Sequence, residues 1–168
     1  MRVAVTGTPG TGKTTATDRL ETDLDVIHLN EVIEREGFSR GTDADRGSTI
    51  ADLDAISEWF AGREDVLVES HLAHELPVDR VIVLRCHPET IEQRLMQRGE
   101  SEASAAENAE SEALDVILAE AVDAHGTDAV YEIETTDRSP PAVATEIDAV
   151  LGGEREPSAG TVSYVEYL

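Results

Sequence analysis

The stretch Gly7-Thr8-Pro9-Gly10-Thr11-Gly12-Lys13-Thr14 directly follows the apolar run Val3-Ala4-Val5. A Gly-x-x-x-x-Gly-Lys-Thr pattern between a strand and the start of a helix is typical of a phosphate-binding loop. Its glycines let successive backbone N–H groups point at phosphate oxygens. Lys13 is expected to reach the β- and γ-phosphates, and the Thr14 hydroxyl to help to coordinate Mg²⁺. The loop therefore predicts a site for a nucleoside triphosphate.

Lys13 is the only lysine in the chain, and every other basic residue is an arginine. A role in phosphate binding explains why a lysine is kept at this position. The alternative is a glycine-rich turn without a ligand. Because glycine makes up about 7% of average sequences, the full pattern arises by chance in only about one chain in a few hundred. We therefore favour the functional interpretation.

The chain is strongly acidic, with 36 acidic and 13 basic residues and a formal net charge of −23. Charge of this sign repels phosphate backbones and anionic membranes, so direct DNA binding is not expected. High charge with few aromatic residues is also typical of disorder, but regular apolar runs predict buried strands instead. We interpret the composition as adaptation to a salty, halophilic cytoplasm, where about 1 M salt shortens the Debye length to about 3 Å.

The cysteine content and hydropathy suggest the compartment. Cys86 is the only cysteine and lies within an apolar run, so we expect a core residue and no disulfide. No apolar run approaches the length of a membrane span, and no cleavable signal precedes the first strand. We therefore expect a soluble cytoplasmic protein without membrane contact.

The order of apolar runs and helical patterns predicts an α/β fold with three layers and a five-stranded parallel sheet. The expected strands are residues 3–5, 26–29, 66–68, 80–84 and 129–134. The expected helices are residues 14–20, 30–36 with Asn30 as N-cap, 49–60, 89–98, 109–124 and 140–151. Residues 38–48 are expected to be a polar excursion, residues 99–108 a low-complexity segment, and Leu114 to face inward. Ligands of such sheets bind at the carboxyl ends of the strands, where the loop and later polar residues should converge.

Glu69 ends the third predicted strand, a position where loop proteins of this kind hold Mg²⁺ or its waters. The alternative is a carboxylate that merely reaches solvent. His71 lies two residues further on and is expected to orient a water or a substrate hydroxyl, unless it is a surface histidine. The other histidines show no metal-ligand spacing and are interpreted as structural; they are His28, His74, His87 and His125.

Two groups of arginines are candidates for phosphate contacts. Arg94 and Arg98 are four residues apart on one predicted helix, so they share a face beside the low-complexity segment. Guanidinium groups that close on the transferred phosphate stabilise its charge, although ion pairs with Glu89 or Glu102 are the alternative. A second group could bind the phosphate of an acceptor nucleotide, and consists of Arg35, Arg40 and Arg46. Two phosphate sites facing one loop favour a nucleotide or metabolite kinase over a GTPase switch.

With these residues in place, the chain resembles the adenylate kinase isoenzyme 6 family, the coilin-interacting nuclear ATPases of eukaryotes and their archaeal counterparts. The resemblance spans most of the chain. It rests on an ordered set of motifs: residues 6–15, Glu69-Ser-His71, Val83-Leu-Arg85, Arg94-Leu-Met-Gln-Arg98-Gly99, and Glu107-Asn108 followed by Glu112. It implies a nucleoside-monophosphate-kinase-like fold with a phosphate-binding loop. It also implies transfer of the terminal phosphate of ATP to AMP, ATPase activity, and a role in maturation of the small ribosomal subunit (16S rRNA) through ribosomal protein uS11.

The resemblance also implies roles for individual positions. ATP would be held by Gly10, Gly12, Lys13, Thr14, Thr15 and, from the lid, Arg98. Within one domain of residues 1–168, residues 28–51 would bind the monophosphate and residues 97–107 would be the lid, with a tail at 152–168. Two positions depart from the family: Glu69 stands where an aspartate is usual, and Glu34 falls where an arginine is expected.

The leading interpretation of the sequence is a Mg²⁺-dependent kinase for AMP or another nucleoside monophosphate. Its expected catalytic residues are Lys13, Arg98, Glu69, His71 and Arg94. The expected metal ligands are Thr14 and Glu69, and the expected acceptor contacts are Arg35, Arg40 and Arg46. One alternative is a ribosome-assembly ATPase with incidental kinase activity. Another is a small-metabolite kinase of the shikimate type.

Overall fold

The computed structural model describes residues 1–42 and 49–168, so Arg46 lies outside the described residues. The central strand of its main sheet is β1 (Arg2–Thr6), which leads straight into the glycine-rich loop. The sheet has the order β2-β5-β1-β6-β7, and its neighbouring strands are all parallel. The other four strands are β2 (Asp25–His28), β5 (Val66–Glu69), β6 (Arg80–Arg85) and β7 (Val130–Glu134). The predicted α/β fold with a five-stranded parallel sheet is confirmed.

Helices cover both faces of this sheet, because its strands are apolar on both sides. Val3 and Val5 pack on one face with side chains of α1 (Lys13–Thr17) and α7 (Pro140–Leu151). Ala4 points to the opposite face, where it shares a core with α2, α3 and α6. Burial on both faces explains why the apolar runs of β1, β5 and β6 are unbroken rather than alternating. The remaining helices are α2 (Leu29–Glu36), α3 (Leu53–Phe60), α4 (Pro88–Gln97), α5 (Glu102–Ala113) and α6 (Val116–His125).

The region between β2 and α3 differs from its prediction. α2 begins at Leu29 with His28 at its N-cap position, so Asn30 is not the cap. The excursion contains a separate antiparallel pair, β3 (Ser39–Thr42) and β4 (Thr49–Ala51). The helix predicted from residue 49 therefore begins only at Leu53. Asp52 provides its cap, because the side chain accepts a hydrogen bond from Ala55 N.

The segment after α4 also differs. Residues predicted as low-complexity chain form α5, capped by Ser101. The single helix predicted over residues 109–124 is instead divided at Leu114 and Asp115, and Asp115 has a left-handed backbone with φ 56°. Leu114 is 54% exposed, so the prediction that it faces inward is wrong. The first helix is also shorter than predicted and ends at Thr17.

The tail after α7 packs along the outer edge of β7. Ser158 N donates to Val130 O at 3.0 Å, and Thr161 N donates to Glu132 Oε1 at 3.1 Å. Tyr164 is 8% exposed, and its hydroxyl donates to Glu134 Oε2 at 2.8 Å. Of the helices in the described ranges, none combines the length and the apolar character that a membrane span requires.

Candidate active site

The glycine-rich loop turns tightly between β1 and α1. A Cβ atom on Gly7 would lie 2.6 Å from Leu84 O, so only glycine allows the loop to approach β6 this closely. Gly12, at the N-cap of α1, has φ 90°, which side-chain-bearing residues rarely adopt. Thr11 N donates to Thr8 O at 3.2 Å and closes the turn. The loop has the conformation that its glycine spacing predicts.

Lys13 lies beneath this loop and is 9% exposed. Its Nζ donates to Gly7 O at 2.9 Å and to Thr8 O at 3.2 Å. Burial lowers the pKa of Lys13 to about 8; the charges of Glu69 and Glu112 oppose this shift, and that of Arg98 adds to it. An anionic phosphate in the adjoining cavity would stabilise the charged ammonium.

Glu69 lies at the end of β5 and is 4% exposed. Thr14 Oγ1 donates to Glu69 Oε1 at 3.0 Å, so the two predicted metal ligands are adjacent. His28 Nδ1 lies 2.8 Å from the same oxygen, and its Nε2 lies 3.2 Å from Asp18 Oδ1. Burial alone would lower the pKa of His28, but the hydrogen bond and charge of Glu69, with Asp18, raise it above its usual value.

The sequence did not predict the contact between His28 and Glu69, because His28 was assessed only for metal-ligand spacing. The signal lies in the strand order: β2 runs parallel to β5, and His28 is paired in register with Glu69. Two polar residues that each end a neighbouring parallel strand meet at the same sheet edge. The register of a parallel pair depends on tertiary contacts, so the sequence does not reveal this neighbour.

His71 lies in the same cleft, as expected. It is half-buried and lines a cavity together with Lys13 and Glu69. Burial lowers the pKa of His71 to about 4, and the charges of Lys13 and His74 contribute to the shift. His71 is therefore neutral at pH 7, and its imidazole has both a donor and an acceptor nitrogen.

Three cavities adjoin one another along the loop. The phosphate cavity, of about 490 Å³, is lined by Gly12, Lys13, Thr14, Glu69 and Arg98 among others. It shares Gly10, Gly12, Thr15 and Arg98 with a cavity of about 360 Å³ that reaches α7, called here the α7-side cavity. It shares Asn30 and His71 with a cavity of about 630 Å³ beside the β3–β4 pair, called here the hairpin-side cavity. The phosphate cavity thus connects the α7-side cavity with the larger hairpin-side cavity.

Arg94 and Arg98 both face this site. Arg94 Nη1 donates to Gly10 O at 3.0 Å and so supports the loop directly. Arg98 is exposed and lines both the phosphate cavity and the α7-side cavity. Among the residues that the structure describes, neither arginine forms an ion pair, which removes the alternative based on Glu89 and Glu102.

The arginines proposed for the acceptor phosphate are placed differently. Arg35 pairs with Glu36 at 3.3 Å and lines a separate groove beside Trp59. Arg40 pairs with Asp52 at 3.2 Å and with Asp54 at 2.8 Å. The described residues that line the hairpin-side cavity include no arginine or lysine; their polar members are Asn30, Glu34, Ser39 and His71. The described structure therefore does not bring Arg35 and Arg40 into this cavity.

Known proteins are similar in sequence to this chain over its whole length. A protein named "Putative adenylate kinase" from Halobacterium salinarum is 68% identical over 169 residues, with 100% of both chains covered. One with the same name from Natronomonas pharaonis is 61% identical over 168 residues, again with complete coverage of both. The AAA domain family model matches residues 3–115. This chain belongs to the adenylate-kinase-like family of archaeal proteins.

The fold of this adenylate-kinase-like protein also resembles that of a solved kinase. Shikimate kinase from Bacteroides thetaiotaomicron superposes with a TM-score of 0.59 at 18% identity, covering 90% of this chain and 98% of that one. At this identity the likeness concerns the fold alone. It agrees with the placement of the loop after the central strand of a five-stranded parallel sheet.

A buried ionic network supports the loop of the adenylate-kinase-like protein from behind. Arg85, at the end of β6, is 0% exposed. Its guanidinium pairs with Glu112 at 3.2 Å, Glu132 at 3.0 Å and Asp115 at 2.5 Å. Glu112 Oε1 also accepts from Thr8 Oγ1 in the loop at 3.2 Å. The network thus joins the loop, β6, β7 and the end of α5. Its one signal in the sequence is an arginine at the end of an apolar strand.

Proposed function

We propose that this protein is a Mg²⁺-dependent kinase that transfers the terminal phosphate of ATP to a nucleoside monophosphate, with AMP as the leading acceptor. The observation that carries the proposal is the phosphate cavity, which connects the α7-side cavity with the hairpin-side cavity. ATP would occupy the α7-side and phosphate cavities, in contact with Gly10, Gly12, Lys13, Thr14 and Thr15. The acceptor would occupy the hairpin-side cavity, so that its oxygen would meet the terminal phosphate of ATP beside Lys13.

The residues beside Lys13 suit Mg²⁺. Thr14 and Glu69 offer a hydroxyl and a carboxylate, which are the oxygen ligands that Mg²⁺ prefers, and both line the phosphate cavity. Held there, Mg²⁺ would supply positive charge that offsets the negative charge developing on the transferred phosphate. Lys13 would hold the β- and γ-phosphates. Neutral His71 would orient the attacking acceptor oxygen, or a water in its place.

Arg98 and the segments beside it would control access to the site. Arg98 would close on the transferred phosphate from a lid at residues 97–107. Arg94 would act through Gly10, whose carbonyl it holds. Residues 28–51 would form the acceptor segment, with Arg35, Arg40 and Arg46 as candidate phosphate contacts once a ligand is bound.

A second candidate function is ATP hydrolysis. The hairpin-side cavity has no cation among its described lining residues to hold the phosphate of an acceptor. This favours a weakly bound acceptor and transfer to water. The same feature suits an uncharged metabolite hydroxyl, which is the third candidate.

An acceptor panel in high salt tests the three candidates. We expect ADP to form much faster from ATP with AMP than with CMP, UMP or no acceptor, and Lys13→Ala to remove this activity without unfolding the protein. ADP formation that is indifferent to every acceptor would favour the ATPase. Acceleration by a small hydroxyl metabolite and by none of the nucleotides would favour the metabolite kinase. Full turnover by Lys13→Ala would contradict the assignment of the loop itself.

The resemblance to adenylate kinase isoenzyme 6 supports a further role in the cytoplasm, in maturation of 16S rRNA within the small ribosomal subunit. It would involve transient contact with ribosomal protein uS11. Because the bulk surface is acidic, we expect contact with protein rather than with exposed RNA. Binding of the purified protein to uS11 in high salt, with and without ATP, measures this directly, and no binding in either state would contradict it.

A further inference from the structure

A continuous chain of contacts leads from the surface to the predicted metal carboxylate. Asp18, just after α1, contacts His28 Nε2 at 3.2 Å. His28 Nδ1 contacts Glu69 Oε1 at 2.8 Å, and Thr14 Oγ1 donates to the same oxygen at 3.0 Å. The chain thus links α1, β2, β5 and the phosphate-binding loop.

The two contacts to Glu69 constrain the orientation of its carboxylate. Both fall on Oε1, and Oε2 accepts no hydrogen bond from any residue that the structure describes. A glutamate has one more rotatable bond than an aspartate, so its carboxylate needs additional contacts to take one orientation. The hydrogen bonds from Thr14 and His28 supply that constraint, while Oε2 stays available in the phosphate cavity that Glu69 lines.

We propose that His28 is a positioning residue for the metal site, which holds the Glu69 carboxylate through Oε1 so that Oε2 serves Mg²⁺ or one of its waters. This rests on the proposed Mg²⁺-dependent function. Asp18 in turn fixes the imidazole through Nε2. Outer partners of this kind set the direction of a metal-binding group, and their loss typically weakens metal binding about 10- to 100-fold.

The competing explanation is that His28 only stabilises the edge strand β2. The two explanations differ in what the variant does to nucleotide binding. A structural role would weaken binding of metal-free and Mg²⁺-bound nucleotide alike. A positioning role would leave metal-free binding unchanged and weaken only the Mg²⁺-dependent part.

The test measures calorimetric affinity for ADP in EDTA and across a Mg²⁺ titration, both in high salt. For His28→Ala we expect the Mg²⁺ concentration at half-effect to rise about tenfold, with metal-free affinity unchanged. His28→Asn should restore most of the wild-type value, because its side-chain amide nitrogen reaches the position of Nδ1. His125→Ala, a histidine outside this site, is the matched control.

Asp18→Ala provides a second variant that should fold, because the Asp18 side chain is 58% exposed. We expect a smaller shift in the same direction. Equal loss of metal-free and Mg²⁺-bound affinity in both variants would overturn the positioning role. A wild-type protein whose ADP affinity is indifferent to Mg²⁺ would instead overturn the metal site itself, and this inference with it.

Discussion

At the scale of the residue, Lys13 is buried and yet carries the ammonium group expected to bind phosphate. The Lys13 ammonium donates to the carbonyl oxygens of Gly7 and Thr8, which only partly replace its hydration. Burial therefore lowers the pKa of Lys13 to about 8. A bound phosphate favours the charged form, so nucleotide binding and protonation of Lys13 are linked.

This linkage predicts how nucleotide affinity depends on pH. Below about pH 8 Lys13 is charged before binding, whereas above it binding must take up a proton. We expect affinity for metal-free ADP to be constant near pH 7 and to fall progressively between about pH 8 and pH 10. Titration calorimetry in EDTA and high salt measures this. Lys13→Arg is the control, because its guanidinium stays charged and should remove the dependence; a wild-type affinity that stays constant throughout would contradict the prediction.

Arg98 and Arg94 provide a matched pair of variants. Both face the site, but Arg94 contacts Gly10 O, whereas Arg98 lines the phosphate cavity. Arg98→Ala should lower kcat about 100-fold with less than about a threefold change in ATP affinity, as expected for a contact made in the transition state. Arg94→Ala should instead weaken ATP binding, because Arg94 holds the carbonyl of Gly10. Steady-state kinetics together with equilibrium binding separate the two effects. Equal losses of kcat and affinity in Arg98→Ala would argue against a transition-state role.

At the scale of the element, the tail is part of the fold rather than a free extension. The sequence left open whether residues 164–168 pack on the sheet edge or bind a partner. The structure places Tyr164 against the buried guanidinium of Arg85, with 5.5 Å from the guanidinium carbon to the ring centroid. Tyr167 lies further out and donates to Glu92 Oε2 at 3.1 Å.

The deeper burial of Tyr164 predicts that its loss lowers stability more than the loss of Tyr167. Tyr164→Ala should lower the free energy of unfolding by about 3 kcal/mol, because it leaves a cavity over a buried charge. Tyr164→Phe, which loses the hydroxyl and its hydrogen bond to Glu134, should cost about 1 kcal/mol. Tyr167→Ala is the control and should cost less than Tyr164→Ala. Denaturant unfolding in high salt measures all three, and equal costs for the two alanine variants would show that the tail does not pack as described.

At the scale of the whole molecule, the net charge of −23 opposes folding unless it is screened. Raising KCl from about 0.1 M to about 1 M shortens the Debye length from about 10 Å to about 3 Å. We expect Tm to rise by about 10 °C or more over this range. Circular dichroism during heating measures this. Full native stability in low salt would contradict the interpretation of the composition as adaptation to salt.

Much of the fold was predictable because short-range features carry it. The unbroken apolar runs of β1, β5 and β6 are strands buried on both faces, and the glycine spacing of the loop permits few backbone paths. The errors lie where local signals compete. Residues 49–51 have helical spacing but pair with residues 39–42 as a hairpin, and the helical pattern over residues 109–124 does not show the left-handed turn at Asp115.

By itself, the sequence determined the phosphate-binding loop, the parallel sheet behind it and the identity of Lys13, Thr14 and Glu69 as neighbours at one sheet edge. These follow from patterns within a few residues and from the rule that parallel strands end together. Only the tertiary structure decided that His28 contacts Glu69, that Arg85 and Glu112 brace Thr8, and that Arg35 and Arg40 do not line the hairpin-side cavity. Those contacts join residues 27 to 104 positions apart, and they depend on strand order and register, which long-range packing sets.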